Sequence, residues 1–253
     1  MLILFQLQEH PHYKLILTAN RDEFYNRPTA QAQFWQTAPT ILAGRDLEQM
    51  GTWLGITKEG RVAALTNYRD PKQMKFGKFS RGAIVSNYLE SMDTAEHYLE
   101  ALRKDKLNYV GFNVLVGNPN ELAYYNNIED SMTAIPPGTH GLSNHFLNTP
   151  WPKVEKGKKK LQEYTLNREK IIVEDLFQIL SDSEEADEKE IPDTGIDKEL
   201  EKRLSPMFIA LPDYGTRCST VVTIDNNNYV TFSERTFQAG EQAYEVNMEF
   251  QIE

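Results

Sequence analysis

The chain is predicted to be an α+β protein in which two antiparallel sheets are sandwiched between helical layers. Strand-like runs come in adjacent pairs joined by turn residues, helical spacing comes in two separate bursts, and the chain closes on strands. Strands joined by short turns pair antiparallel, and a sheet built that way buries one face readily under helices.

Residues 2–7 and 13–19 are apolar runs joined by a polar turn containing Pro11, an N-terminal hairpin. Residues 51–57 and 61–66 flank Lys58-Glu59-Gly60, where the glycine supplies the positive φ of a tight reversal. From Ser80 the period changes, with Ile84, Val85, Tyr88 and Leu89 at helical spacing, and Asp93 with Glu96 three residues on reads as a capping box opening a second helix. Residues 110–116 and 121–125, separated by Gly117-Asn118-Pro119-Asn120, form another hairpin, followed by a short strand segment at 132–135. Helical pattern returns at 154–164 and 171–180. The acidic run from Ser181 to about Asp197 is too charged for a core and reads as a solvated loop. Residues 217–224, 229–233 and 244–250 are terminal strands, the first two joined by Asp225-Asn226-Asn227-Asn228.

No linker interrupts the 253 residues, so one large domain is expected over 1–253. With 40% hydrophobic and 25% charged residues, the chain can bury a sizeable core under a solvated surface. A net charge of -10 argues against a phosphate-tracking nucleic-acid partner. No apolar run approaches the roughly 20 residues of a membrane span, and no secretory signal is readable, so the cytoplasm is the expected compartment. The single cysteine, Cys218, excludes an internal disulfide and any multi-cysteine zinc site.

Asn20-Arg21-Asp22-Glu23-Phe24 sets an arginine and two carboxylates where an apolar run ends. Such a group is either a structural ion pair or a device for holding a reacting group. Its company is Gly51-Thr52-Trp53-Leu54-Gly55, Thr66-Asn67-Tyr68, Gly141-Leu142-Ser143-Asn144, Thr149-Pro150-Trp151, Tyr214-Gly215-Thr216-Arg217 and Glu234-Arg235. With these strings the chain resembles the NRDE family, also called the transport and Golgi organisation family, over nearly its whole length. That resemblance implies an αββα four-layer sandwich of the N-terminal nucleophile (Ntn) hydrolase type.

The polar landmarks are similar to those of conjugated bile acid hydrolases and penicillin acylases, in which the first residue is the nucleophile and its α-amine the base. On that resemblance Arg21 is the arginine beside a thiolate, and Asp22 orients the α-amine. The spacing leaves Asp22 and Glu23 as alternatives, since neighbours on a strand face opposite sides. Asn67 and Asn144 are the amides at the developing oxyanion, and Arg217 is a second site arginine. Asn20, Glu23, Tyr68 and Arg81 are candidate ligand contacts, Arg81 because it opens a helix. Family members typically begin Met-Cys, whereas this chain reads Met1-Leu2-Ile3. As written it supplies no thiol there, through a true loss or an omission. Cys218 follows Arg217 on a strand, so alternation turns it to the other face, as a structural cysteine.

His140 and His145 bracket the asparagine but match no metal motif, and Trp53 reads as core. The lysines 153, 156, 158, 159 and 160 read as a solvated helix face. No cofactor is expected; haem enters as a ligand only through the resemblance. The expected partner is a small apolar or amide molecule. Two functions follow: an amide hydrolase that needs an N-terminal cysteine, or a non-catalytic carrier for haem or an acyl coenzyme A-type ligand.

Overall fold

The computed structural model describes residues 1–69, 71 and 78–253. In chain order the strands and helices are β1 (Leu2–Leu7), β2 (Tyr13–Phe24), β3 (Thr29–Phe34), β4 (Ile41–Asp46), β5 (Leu54–Thr57) and β6 (Val62–Asn67), then α1 (Gly82–Glu90) and α2 (Ala95–Lys104). There follow β7 (Phe112–Asn118), β8 (Glu121–Asn126), β9 (Ser131–Ala134), β10 (Gly138–Leu142), α3 (Pro152–Thr165), α4 (Val173–Leu180), α5 (Lys198–Arg203), β11 (Tyr214–Asp225), β12 (Tyr229–Gln238) and β13 (Glu241–Gln251). They fall into two compact units, one of residues 1–26 and 137–249, the other of 27–136 and 250–253.

The first unit holds a six-stranded sheet in the order β10-β1-β2-β11-β12-β13. The hairpin expected at the N-terminus forms β1 and β2, with Leu2 opposite Asn20 and Leu7 opposite Leu15. Leu2, Leu4, Ile16 and Val221 point to one face and pack under Val154 and Leu161 of α3 and Leu176 and Phe177 of α4. Each such side chain contributes about 2 kcal/mol by leaving water. Gly157 lets α3 come down on β1: a Cβ there would lie 2.6 Å from a methyl of Leu4. Residues 182–197 form no helix or strand, as their charge implies.

In the second unit a seven-stranded sheet follows chain order, β3 through β9. The turn at residues 58–60 is the expected one, and Gly60 sits at φ +82°. Ile84, Val85, Tyr88 and Leu89 of α1 and Leu99 and Leu102 of α2 pack on Ala63, Leu65, Val114 and Val116. The opposite face carries a buried polar row, Thr66, Asn113 and Asn126 in register across β6, β7 and β8.

Several sequence expectations are corrected. The second helix is capped by Thr94, whose hydroxyl accepts from His97 N at 3.2 Å; Asp93 meets the His97 ring at 3.1 Å instead. Strands β3, β4 and β10 and the short helix α5 were not expected. The lysine-rich helix face is only partly solvated: Lys153 is buried and donates to the Leu204 carbonyl at 2.9 Å, because the first turn of α3 faces the chain after α5.

Candidate active site

The site in the first unit is assembled at the start of β1. Ile3 pairs with Leu142 on β10 and Leu2 with Asn20 on β2, so residue 1 falls between the residues that follow β10 and the outgoing half of β2. Ser143 Oγ donates to the Met1 carbonyl at 2.9 Å. The α-nitrogen of Met1 donates to Asp22 Oδ2 and, at 3.2 Å, to Asn144 Oδ1. Met1, Asp22, Ser143 and Asn144 are all buried. A nitrogen so placed has a carboxylate and an amide oxygen fixing its orientation in a water-poor setting, where each hydrogen bond is electrostatically strong.

Asp22 is itself held. Thr216 lies opposite it across β2 and β11 and donates from Oγ1 to Asp22 Oδ1 at 2.9 Å. That hydroxyl accepts from Ile209 N at 3.0 Å, and Tyr214 Oη donates to the Asp22 carbonyl at 3.3 Å. A Cβ on Gly215 would overlap the Tyr25 hydroxyl and the Ile209 carbonyl, so only glycine fits between Tyr214 and Thr216.

The alternatives Asp22 and Glu23 separate cleanly. Asp22 takes the Met1 nitrogen, whereas Glu23 is half-buried, accepts from Phe24 N at 3.0 Å and lies 3.8 Å from Arg21. The motif does not end the strand, as its charge suggested: β2 runs on through Phe24, and this continuation puts Asp22 in register with β11. Arg21 is buried on the Glu23 face. Asn20 spends its amide on the Leu180 and Met207 carbonyls, at 3.0 and 2.8 Å, tying the sheet to the end of α4 and to the chain after α5.

Arg217 occupies a β-bulge. Thr216 pairs with Asp22 and Cys218 with Arg21, leaving Arg217 as the extra residue. Its Nη1 donates to the carbonyls of Phe24 and Tyr25, at 2.8 and 2.9 Å, and burial together with the Arg21 guanidinium lowers its pKa. The bulge overturns the alternation expected for Cys218, which sits directly across from Arg21 instead of being turned away from the site side chains. Cys218 is buried, as a structural cysteine would be.

Asn67, Tyr68 and Arg81 belong to the second unit and converge on one point of it. Asn67 closes β6 opposite Phe112, Tyr68 N donates to Gly111 O at 3.0 Å, and Arg81, the residue that caps α1, donates to the same carbonyl at 3.3 Å. His140 and His145 engage Asn148 and Thr149, at 3.1 and 3.0 Å, in the loop after β10. Among the described residues no cluster of three or more His, Cys, Asp or Glu could hold a metal ion, and no helix is long and apolar enough to cross a membrane. Sequence reasoning missed Thr216, Ser143 and Tyr214, although all three lie inside the strings that carried the resemblance.

Comparison with known proteins agrees with this architecture. A conjugated bile acid hydrolase mutant from Clostridium perfringens superposes with a TM-score of 0.57 at 9% identity, covering 98% of this chain and 92% of that one. The Caenorhabditis elegans ortholog of N-acylethanolamine-hydrolyzing acid amidase gives 0.51 at 11% identity, covering 87% and 92%. At such identities these structures show the fold alone, which is the α+β fold of the Ntn hydrolases. Among sequences, the mouse Transport and Golgi organization 2 homolog is 36% identical over 93% of this chain and 92% of its own length. The human homolog is 35% identical over the same shares, and the Drosophila melanogaster protein 30% identical over 88% and 86%. The model of the Transport and Golgi organisation 2 family matches residues 1–239, and the chain belongs to that family.

Proposed function

We propose that the first unit carries a carbonyl-binding site of the Ntn type, suited to an amide or acyl ligand, which hydrolyses a C–N bond when residue 1 bears a thiol and binds its ligand without turnover when residue 1 is Met. The observation that supports this reading is the seat of the Met1 nitrogen between Asp22 and Asn144. An α-amine held there is oriented, once deprotonated, to take a proton from the side chain of its own residue. The Asn144 amide accepts from that nitrogen through Oδ1, so its Nδ2 is the end that would donate to a developing oxyanion. Arg21 supplies the positive charge that would favour a thiolate.

The thioether of Met1 carries no ionisable proton and forms no acyl-enzyme. Binding of an apolar, partly anionic molecule such as haem or an acyl thioester uses the same residues without the covalent step. The test is Met1→Cys in the full chain, with removal of any initiating methionine verified by intact mass. Exposure to iodoacetamide should add one adduct at residue 1, and Met1→Cys/Asp22→Asn should slow it by at least about tenfold. The Met1 chain should stay unmodified, since Cys218 is buried. A correctly processed Met1→Cys chain whose terminal thiol reacts no faster than a free cysteine overturns the hydrolase arm. Absence of saturable binding of haem and of long-chain acyl coenzyme A to the Met1 chain overturns the carrier arm.

A further inference from the structure

Beyond the bulge, β11 resumes strict alternation, so Cys218 and Thr220 share a face. Cys218 lies opposite Arg21 on β2, and Thr220 lies opposite Glu234 on β12. All four are shut away from solvent, with relative exposures of 5% for Arg21, 3% for Cys218, 1% for Thr220 and 2% for Glu234. A guanidinium and a carboxylate therefore sit in neighbouring rows of one sheet face, with the thiol and the hydroxyl between them. Thr220 Oγ1 donates to Glu234 Oε2 at 3.1 Å. The thiol is a neutral donor here: burial first, then the Glu234 charge and a hydrogen bond to that carboxylate, raise its pKa well above the usual value, against the pull of Arg21.

A carboxylate this buried requires a positive charge near it. Arg235, the next residue on β12, does not serve. It projects to the opposite face, where it stacks on Phe177 at 4.2 Å and pairs with Glu174 and, at 2.8 Å, with Glu245. Arg21 lies directly across from Cys218 on that face, and Arg217 at the bulge and Glu23 are further charges that act on this group. Two guanidiniums and two carboxylates thus share one sheet end.

We infer that Glu234 is a positioning residue for Arg21: from two strands away it fixes the guanidinium beside residue 1, with Cys218 and Thr220 carrying the link and Glu23 bracing from Arg21's own strand. Its functional meaning rests on the reading of Arg21 as the site cation. The geometry is testable without ligand or turnover.

The test is hydrogen exchange at the Arg21 Nε–H, followed by nitrogen-15 NMR in the full Met1 chain. Glu234→Gln should speed that exchange by about tenfold, the loss of one buried charge-assisted hydrogen-bond arrangement. Arg61 and Arg235 should stay at their original rates as internal references, and Glu234→Asp should recover most of the protection. A folded Glu234→Gln chain with unchanged Arg21 exchange, or with equal acceleration at all three arginines, overturns the inference. If Glu234→Gln does not fold, Thr220→Val, which retains the carboxylate and removes its donor, is read in the same way. It should give a selective increase of about threefold at Arg21, and no selective increase overturns the inference. An unreactive Met1→Cys chain would leave this result standing and would sink only the hydrolase reading.

Discussion

Each sheet carries a buried polar cluster spanning three adjacent strands, and the two are built from different chemistry. In the second unit the row is neutral. Asn113 donates to Thr66 Oγ1 at 3.0 Å and accepts from Tyr124 Oη and Asn126 Nδ2, both at 2.6 Å. Asn126 in turn accepts from Ile128 N at 2.8 Å and Glu129 N at 3.0 Å, closing the turn after β8. In the first unit the buried groups are charged: Arg21, Asp22 and Glu234, in neighbouring rows of β2 and β12, with a thiol and hydroxyls of β11 between them. A satisfied amide row costs little and fixes register. A charged cluster must overcome the desolvation of every ion, so it persists where charge has a use at the strand ends.

The contrast can be broken most directly at Asp22. Asp22→Ala strands the Met1 nitrogen and the Thr216 hydroxyl in a buried setting, and should lower unfolding stability by about 3 kcal/mol in urea melts. A loss under about 1 kcal/mol would mean that the charged cluster is not a buried ion system at all. Asn113→Leu is the matching change in the neutral row. It leaves one hydroxyl and one amide without their acceptor and should cost about 2 kcal/mol, while labelling of Met1→Cys stays within about twofold. Labelling that collapses with Asn113→Leu would erase the distinction between the two clusters.

The smallest effect lies on the surface of the first unit, where Asp182 anchors the acidic segment through Lys156, at 2.7 Å, and Lys160. Burial opposes its ionisation, yet the hydrogen bonds from both lysines outweigh it and hold its pKa down to about 2, from an ordinary 3.8. The folded value is depressed, so the contribution is complete at neutral pH and fades as pH falls from about 4 towards 2, a matter of about 1 kcal/mol. Hydrogen exchange at residues 183–190 should rise across that window, and Asp182→Asn should abolish the pH response. An unchanged response in the variant would show that the anchor lies elsewhere.

The hairpins were legible because their turns are local: Gly60 and the run of asparagines before Tyr229 mark reversals in the chain itself. Strands β3, β4 and β10 were hidden for the converse reason. Thr-Ala-Gln-Ala-Gln-Phe has few large apolar residues, and Gly-Thr-His-Gly-Leu reads as a loop; both become strands by pairing with segments already in place. The site was legible as a set of strings and not as a geometry. Choosing between Asp22 and Glu23 requires the register of β2 on β11, a contact across nearly 200 positions of chain, and the hydroxyls of Thr216 and Ser143 carry no signal beyond their neighbours. Cys218 was misplaced because counting by twos assumes an unbroken ladder.

Arg217 acts as a phase shifter in that ladder. On its outer side β11 presents Thr216 to the carboxylate of Asp22; one residue is then taken up out of step, and on its inner side Cys218 meets Arg21. Excising that residue would bring the two halves of β11 into a single rhythm, and one half would have to present its opposite side to β2. The helix-facing apolar half has the greater hold, so the slip would fall on Thr216 and Tyr214 and release Asp22. A one-residue gap in an otherwise similar sequence is therefore, at this point, a change of circuit and not of length.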